Sequence, residues 1–189
     1  MFKSIIEPRG AVRFPEFQDE RVYMLPFFQD QGLPAPVSRW QATVDAMLDG
    51  ITTDQPIYLM VDETVVEPGL PQRRPGLHID GYWHAGGSHG SHRSGDIKGW
   101  GHASFEAPEA ILLASTVTGA RGYVGAYDGP IGEGGDCSHV DLQGLDQIEL
   151  TAGRVYAGNV TALHESLPLI AGGQRSLVRL NIPGWSPST

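Results

Sequence analysis

The chain has 189 residues, 40% of them hydrophobic and 19% charged, with a formal net charge of −9. That length suits one domain with a sizeable core, and the acidic balance argues against a nonspecific grip on nucleic acid. No apolar run is long enough to cross a bilayer, Met1–Pro8 lack a signal-peptide apolar region, and a single cysteine, Cys137, excludes an internal disulfide, so a cytoplasmic location is expected.

In chain order, residues 1–36 read as irregular and rich in Pro and Phe, with a candidate strand at Glu20–Leu25. The clearest helix follows over residues 38–49. Ser38 is a suitable N-cap, Trp40, Val44, Met47 and Leu48 form one apolar stripe, and Gly50 sits just past the end. Strand patterns then run at Ile57–Val61, Thr64–Val66, Leu77–Trp83, Ile111–Val117, Gly122–Tyr127, Asp146–Leu150, Arg154–Ala157, Thr161–His164 and Ser176–Ile182. Turn signals separate most of them, including Pro68-Gly69, Asp128-Gly-Pro and Gly172-Gly173. Many short strands after one helix predict a jelly-roll β-sandwich. Residues 1–50 form an extension and residues 55–185 the core of a single domain spanning 1–189.

One constellation carries chemistry. His78-Ile79-Asp80 places an imidazole and a carboxylate one residue apart, and Leu77-His78-Ile79-Asp80 alternates apolar and polar, so both would leave the same face of a strand. His164 follows 86 residues later. Two His and one carboxylate can cap one face of an octahedral metal and leave the other positions open, the ligand set of non-haem Fe(II) oxygenases. A His-x-Asp alone is weak evidence: 7 His and 12 Asp give roughly 0.4 such triplets by chance. A second copy, His139-Val140-Asp141, lies only 25 residues before His164, too few for the intervening strands of a double-stranded β-helix.

The C-terminal block is more specific. It reads Leu150-Thr-Ala-Gly-Arg-Val-Tyr-Ala-Gly-Asn159, then Thr161-Ala-Leu-His164-Glu-Ser-Leu-Pro168, then Gly172-Gly-Gln-Arg175-Ser-Leu-Val-Arg179. With Arg175 eleven and Arg179 fifteen residues after His164, residues 55–185 resemble the 2-oxoglutarate/Fe(II)-dependent dioxygenase superfamily, and the arginine spacing looks like its taurine dioxygenase branch. The resemblance implies a mostly β, cupin-like double-stranded β-helix with the N-terminal helix packed on one sheet. It implies Fe(II) on His78, Asp80 and His164, 2-oxoglutarate as cosubstrate, and O2 as oxidant. Arg175 would grip the distal carboxylate, because a guanidinium makes two parallel hydrogen bonds to it. Arg179 shares its strand face and would touch cosubstrate or substrate, or pair with an acid. The product set would be succinate, CO2 and an oxidised substrate C–H bond.

Other residues are less determined. Tyr58 or Tyr123 could add a hydroxyl to the clamp, Asn159 and Thr161 could support His164, and Trp83, Tyr82 and Trp100 could wall the substrate. Arg73, Arg74, Arg93 and Lys98 flank the His78 region and read as solvated loop charges, or as a patch that could attract an anionic small molecule or peptide. The Gly/Ser/His-rich stretch 84–104 reads as a lid over the barrel mouth, or less well as a separate metal site. Two rival readings remain. One is a cupin-type metal protein that does not use 2-oxoglutarate, although its usual His-x-His pair is absent. The other is a non-catalytic jelly-roll binding or structural protein.

Overall fold

The computed structural model describes residues 1–83 and 108–188. The expected lid at 84–104, with Trp100, Arg93 and Lys98, lies outside the described residues. Among the described residues there are ten strands: β1 (Phe2–Ser4), β2 (Ile6–Ala11), β3 (Arg21–Phe27), β4 (Ile57–Val66), β5 (Glu109–Ser115), β6 (Ala120–Tyr127), β7 (Asp146–Glu149), β8 (Arg154–Asn159), β9 (Leu163–Ser166) and β10 (Gly173–Pro183). They form two antiparallel sheets. The larger has the order β2-β8-β5-β10-β4-β3, and in the smaller β6 pairs with β1, β7 and β9.

β10 organises the molecule. It pairs with β4 from Gly173↔Val66 to Asn181↔Tyr58, and with β5 from Leu177↔Ser115 to Pro183↔Glu109. Its side chains alternate faces, as a strand requires. Val178, Leu180 and Ile182 join the largest apolar cluster on the outer face of the six-stranded sheet. Arg175, Leu177 and Arg179 point the other way, into a cavity between the sheets.

A 3-10 turn (Ala35–Trp40) and helix α1 (Gln41–Met47) cover the outer face. Trp40, Val44 and Met47 are fully buried against Leu59, Leu112, Val178 and Leu180, each contributing about 1.5–3 kcal/mol. Ser38 is not the N-cap. It lies inside the 3-10 turn, where its hydroxyl donates to the Ala35 carbonyl at 3.0 Å. Pro36, at the start of that turn, supplies the fixed φ that begins it early.

The candidate strand Glu20–Leu25 falls on β3, and the rest of residues 1–36 is less irregular than its pattern, supplying β1 and β2. Pro8 hides β2, and β3 runs through Pro26 two residues past its expected end, but β2 and β3 are the edges of the six-stranded sheet, where a missing N–H can be tolerated. The extension is tied down by Glu63 of β4, which is fully buried. One carboxylate oxygen accepts the backbone N–H groups of Gln18 and Glu20 at 3.0 Å and Arg39 Nη2 at 2.7 Å, and the other accepts the Ser176 hydroxyl. Burial opposes the charge, yet these donors hold the carboxyl below its usual range.

The expected strand Leu77–Trp83 is reduced to isolated bridges at His78, to His164 and to Asp136. Gly76 at φ +81° and Gly81 at φ +68° bend the chain out of the extended region on either side.

Candidate metal centre

The two histidines face each other directly across this bridge. His78 N–H donates to the His164 carbonyl and His164 N–H donates back to His78, both at 3.0 Å. A directly opposite pair brings side chains to one place, and the ring centroids are 4.4 Å apart. Leu77 and Ile79 point to the far side, into an apolar cluster with Tyr127, Cys137 and Leu163. His78 and Asp80 therefore leave the cavity-facing side. One ligand atom from each of His78, Asp80 and His164 falls within 4.8 Å of the others.

The tautomers are set by the backbone. His78 Nδ1 donates to the Gly76 carbonyl at 2.7 Å and His164 Nδ1 to the Ala162 carbonyl at 3.0 Å. A neutral ring so held turns its Nε2 lone pair away from the carbonyl. His164 Nε2 then meets Asp80 Oδ2 at 3.4 Å, two electron-rich atoms facing each other. Only a cation between them relieves the repulsion, either a proton or a metal ion. The residues thus fit a divalent cation by number, donor type and tautomer.

The electrostatics agree. Burial and the neighbouring His164 push the His78 imidazole down to about 4, so it is neutral at pH 7. Burial disfavours the Asp80 charge, but Arg179 and then His164 outweigh it and hold the carboxyl well below its usual range. Burial likewise opposes a charge on His164, and the Asp80 carboxylate more than reverses this.

The cavity beside this cluster measures about 260 Å³. The same space is lined by His78, Asp80, His164, Arg175 and Arg179. Arg175 is only 1% exposed. Its Nε donates to Ser115 Oγ at 2.8 Å, while its Nη1 has no hydrogen-bond partner among the described residues. Gly119 lies against the guanidinium, where a Cβ would come within 3.3 Å of Nη1. Burial lowers the Arg175 guanidinium to about 10, so it stays charged. Arg179 differs from Arg175. Its Nη1 is paired with Asp80 Oδ2 at 2.9 Å, the acid-pairing role among those its spacing allows.

The remaining expectations divide. Arg73 and Arg74 line the cavity, Arg73 on Asp62 at 3.1 Å and Arg74 on the Gly134 carbonyl. Trp83 lines it too, packed edge-on against Tyr23. Tyr58 and Tyr123 are not among its lining residues, and the Tyr123 hydroxyl donates to Glu165 at 2.9 Å. Asn159 and Thr161 do not support His164 but bind Lys3 and Ile5 of the N-terminal strands. Cys137 is buried in the far-side cluster, its thiol pushed up to about 11 by burial. His139 is exposed, so the second His-x-Asp takes no part. Sequence reading missed Ser115 and Gly119, which meet the Arg175 guanidinium. A small residue where two strands cross an arginine leaves no local pattern.

No protein-family model and no curated protein matches this sequence. Among the described residues, no helix is long and apolar enough to cross a membrane.

Proposed function

We propose that the chain is an Fe(II)- and 2-oxoglutarate-dependent dioxygenase built on a double-stranded β-helix. Two features of the pairing support that fold. β4, β10, β5 and β8 are neighbours in the larger sheet, while the His78 segment, β9, β6 and β7 are neighbours in the smaller one. From β4 onward the chain thus alternates between the two sheets, except that β6 and β7, consecutive along it, pair with each other in the smaller one, as a folded double hairpin requires.

One observation carries the functional reading. A buried guanidinium with an N–H that has no partner among the described residues and a two-histidine, one-carboxylate cluster line one cavity. A buried cation lacking an anion is costly unless a ligand supplies one. A five-carbon diacid held between the cluster and Arg175 does so. His78, Asp80 and His164 would hold the iron through two Nε2 atoms and one carboxylate. Bound there with 2-oxoglutarate and O2, iron supplies oxidative decarboxylation to succinate and CO2, coupled to oxidation of a substrate C–H bond. Arg175 takes the distal carboxylate, and Ser115 fixes the guanidinium by its Nε. Arg179 keeps Asp80 ionised and oriented. Met24, Met60, Leu113, Leu177 and Trp83 form an apolar wall that keeps water from the reacting atoms. The substrate is a small molecule or peptide side chain. Arg73 and Arg74 on the same wall favour an anionic one.

Calorimetry with Mn(II) and N-oxalylglycine, an unreactive analogue of 2-oxoglutarate, tests this. N-oxalylglycine binding is expected to require Mn(II), and Asp80→Ala is expected to lose both. A chain that takes no divalent metal is a non-catalytic module. One that takes metal but no N-oxalylglycine is a cupin-type metal protein of another chemistry.

A further inference from the structure

The Asp80 side chain is held by a run of side-chain bonds as well as by the backbone on either side of it. Beyond the His78 bridge the chain leaves the sheet, and Gly81 at φ +68° turns it. Ile79 N–H donates to the Gly135 carbonyl at 2.9 Å and Gly81 N–H to the Val160 carbonyl at 3.1 Å, and a chain of side chains adds to them. Arg179 Nη1 donates to Asp80 Oδ2 at 2.9 Å. Its Nε donates to Asn181 Oδ1 at 2.8 Å. Asn181 Nδ2 donates to Glu109 Oε1 at 3.0 Å, and that same oxygen accepts the Trp83 backbone N–H at 2.9 Å. The circuit starts at Asp80 and closes three residues later, on Trp83.

We propose that Glu109 and Asn181 are positioning residues that fix Asp80 through Arg179, a role that rests on Asp80 being a metal ligand. Asn181 is fully buried and Glu109 is 3% exposed, so these bonds are shielded from water. The Asn181 amide has one orientation that satisfies both neighbours, its oxygen towards the guanidinium and its NH2 towards the carboxylate. Reversed, it would set donor against donor and acceptor against acceptor. Arg179 and Asn181 are i and i+2 on β10, so one strand face presents both. β5 pairs with that strand through Asn181↔Ile111 and Pro183↔Glu109, which brings Glu109 to the amide. A core in need of stability alone would gain as much from an apolar residue at 109. A carboxylate there has a use if it orients the groups that orient a ligand, because such outer partners set ligand direction and metal affinity.

The test uses Co(II) calorimetry on the full, metal-free chain, with visible absorption of the Co(II) form as a readout of ligand geometry. Wild type is expected to bind Co(II) and Asp80→Ala to lose it. Asn181→Ala and Glu109→Ala should weaken Co(II) by roughly tenfold or more and alter its absorption bands. Glu109→Gln keeps an acceptor oxygen and should stay within about threefold of wild type, with unchanged bands. Adding Asn181→Ala to Arg179→Ala should cause no further loss, because the amide acts only through the guanidinium. If Asn181→Ala does not melt cooperatively, Asn181→Ser takes its place. A wild-type chain without Co(II) affinity overturns the metal reading, and the positioning role with it. A wild-type chain that binds, with Asn181→Ala and Glu109→Ala binding equally well or losses that add to that of Arg179→Ala, overturns the positioning role alone.

Discussion

Replacing Arg175 with methionine should separate binding from stability, with opposite signs. Arg175 is 1% exposed, holds one hydrogen bond from Nε to Ser115, and leaves Nη1 unpartnered among the described residues. Burial lowers its guanidinium from its ordinary value to about 10, with Asp62 opposing the fall and Arg73 adding to it. That difference corresponds to roughly 3 kcal/mol disfavouring the charged form in the ligand-free protein. Methionine has similar reach and no charge, so the apo variant should be as stable as wild type or up to about 3 kcal/mol more stable. The same change removes a charge-assisted pair from a bound diacid, worth about 2–3 kcal/mol, or roughly 30–150-fold in affinity. Chemical denaturation without ligand and calorimetry with N-oxalylglycine and Mn(II) read the two effects. A variant that is clearly less stable yet binds N-oxalylglycine with unchanged affinity would refute the reasoning and make Arg175 a structural cation.

Three further outcomes follow from particular contacts. Gly119→Ala places a Cβ within 2.7 Å of Leu169 Cδ2 and 3.3 Å of Arg175 Nη1, so N-oxalylglycine affinity should fall several-fold while Mn(II) affinity holds; equal loss of both would point to a general distortion. Glu63→Ala strands the Gln18 and Glu20 amides and the Ser176 hydroxyl and leaves Arg39 with Glu20 as its one carboxylate; it should cost about 2–4 kcal/mol and lower Tm by roughly 10 °C by calorimetric scan, whereas a loss near zero would show the network to be incidental. His78 concerns acid. Its folded value of about 4 lies below the ordinary 6.5, so its contribution is fully present above 6.5 and lost as pH falls through about 4, roughly 3 kcal/mol in all. His164 is shifted upward and runs the other way, its contribution being lost as pH rises. In metal chelator, His78→Leu should lose less stability than wild type between pH 7 and 4; parallel pH curves by denaturant unfolding would contradict the burial of a neutral His78.

Local pattern determined a good deal of this protein. The helix is legible because Trp40, Val44 and Met47 recur at helical spacing, whatever they pack on. That His78 and Asp80 share a face, and that Arg175 and Arg179 share another, follows from the two-residue period of an extended chain. β4 to β10 announce themselves by apolar alternation between turn residues. Where that signal failed, the reason is physical. β2 carries Pro8, which an edge strand tolerates, and which strand becomes an edge depends on the whole sheet. The stretch after Ile79 looks like a strand, yet Gly81 turns it away and Arg179 holds it.

Everything that converts these faces into a site needed the fold. His78 and His164 are 86 residues apart, and only the register between the His78 segment and β9 makes them direct cross-strand neighbours. Ser115 and Gly119 meet Arg175 because β5 pairs with β10 and the turn after it passes the guanidinium. Arg179 falls on Asp80, and Asn159 on Lys3, for the same reason. Side-chain direction repeats within a few residues and can be read along the chain. Register between distant strands is the joint result of every pairing and packing choice in both sheets, so no short stretch of sequence records it.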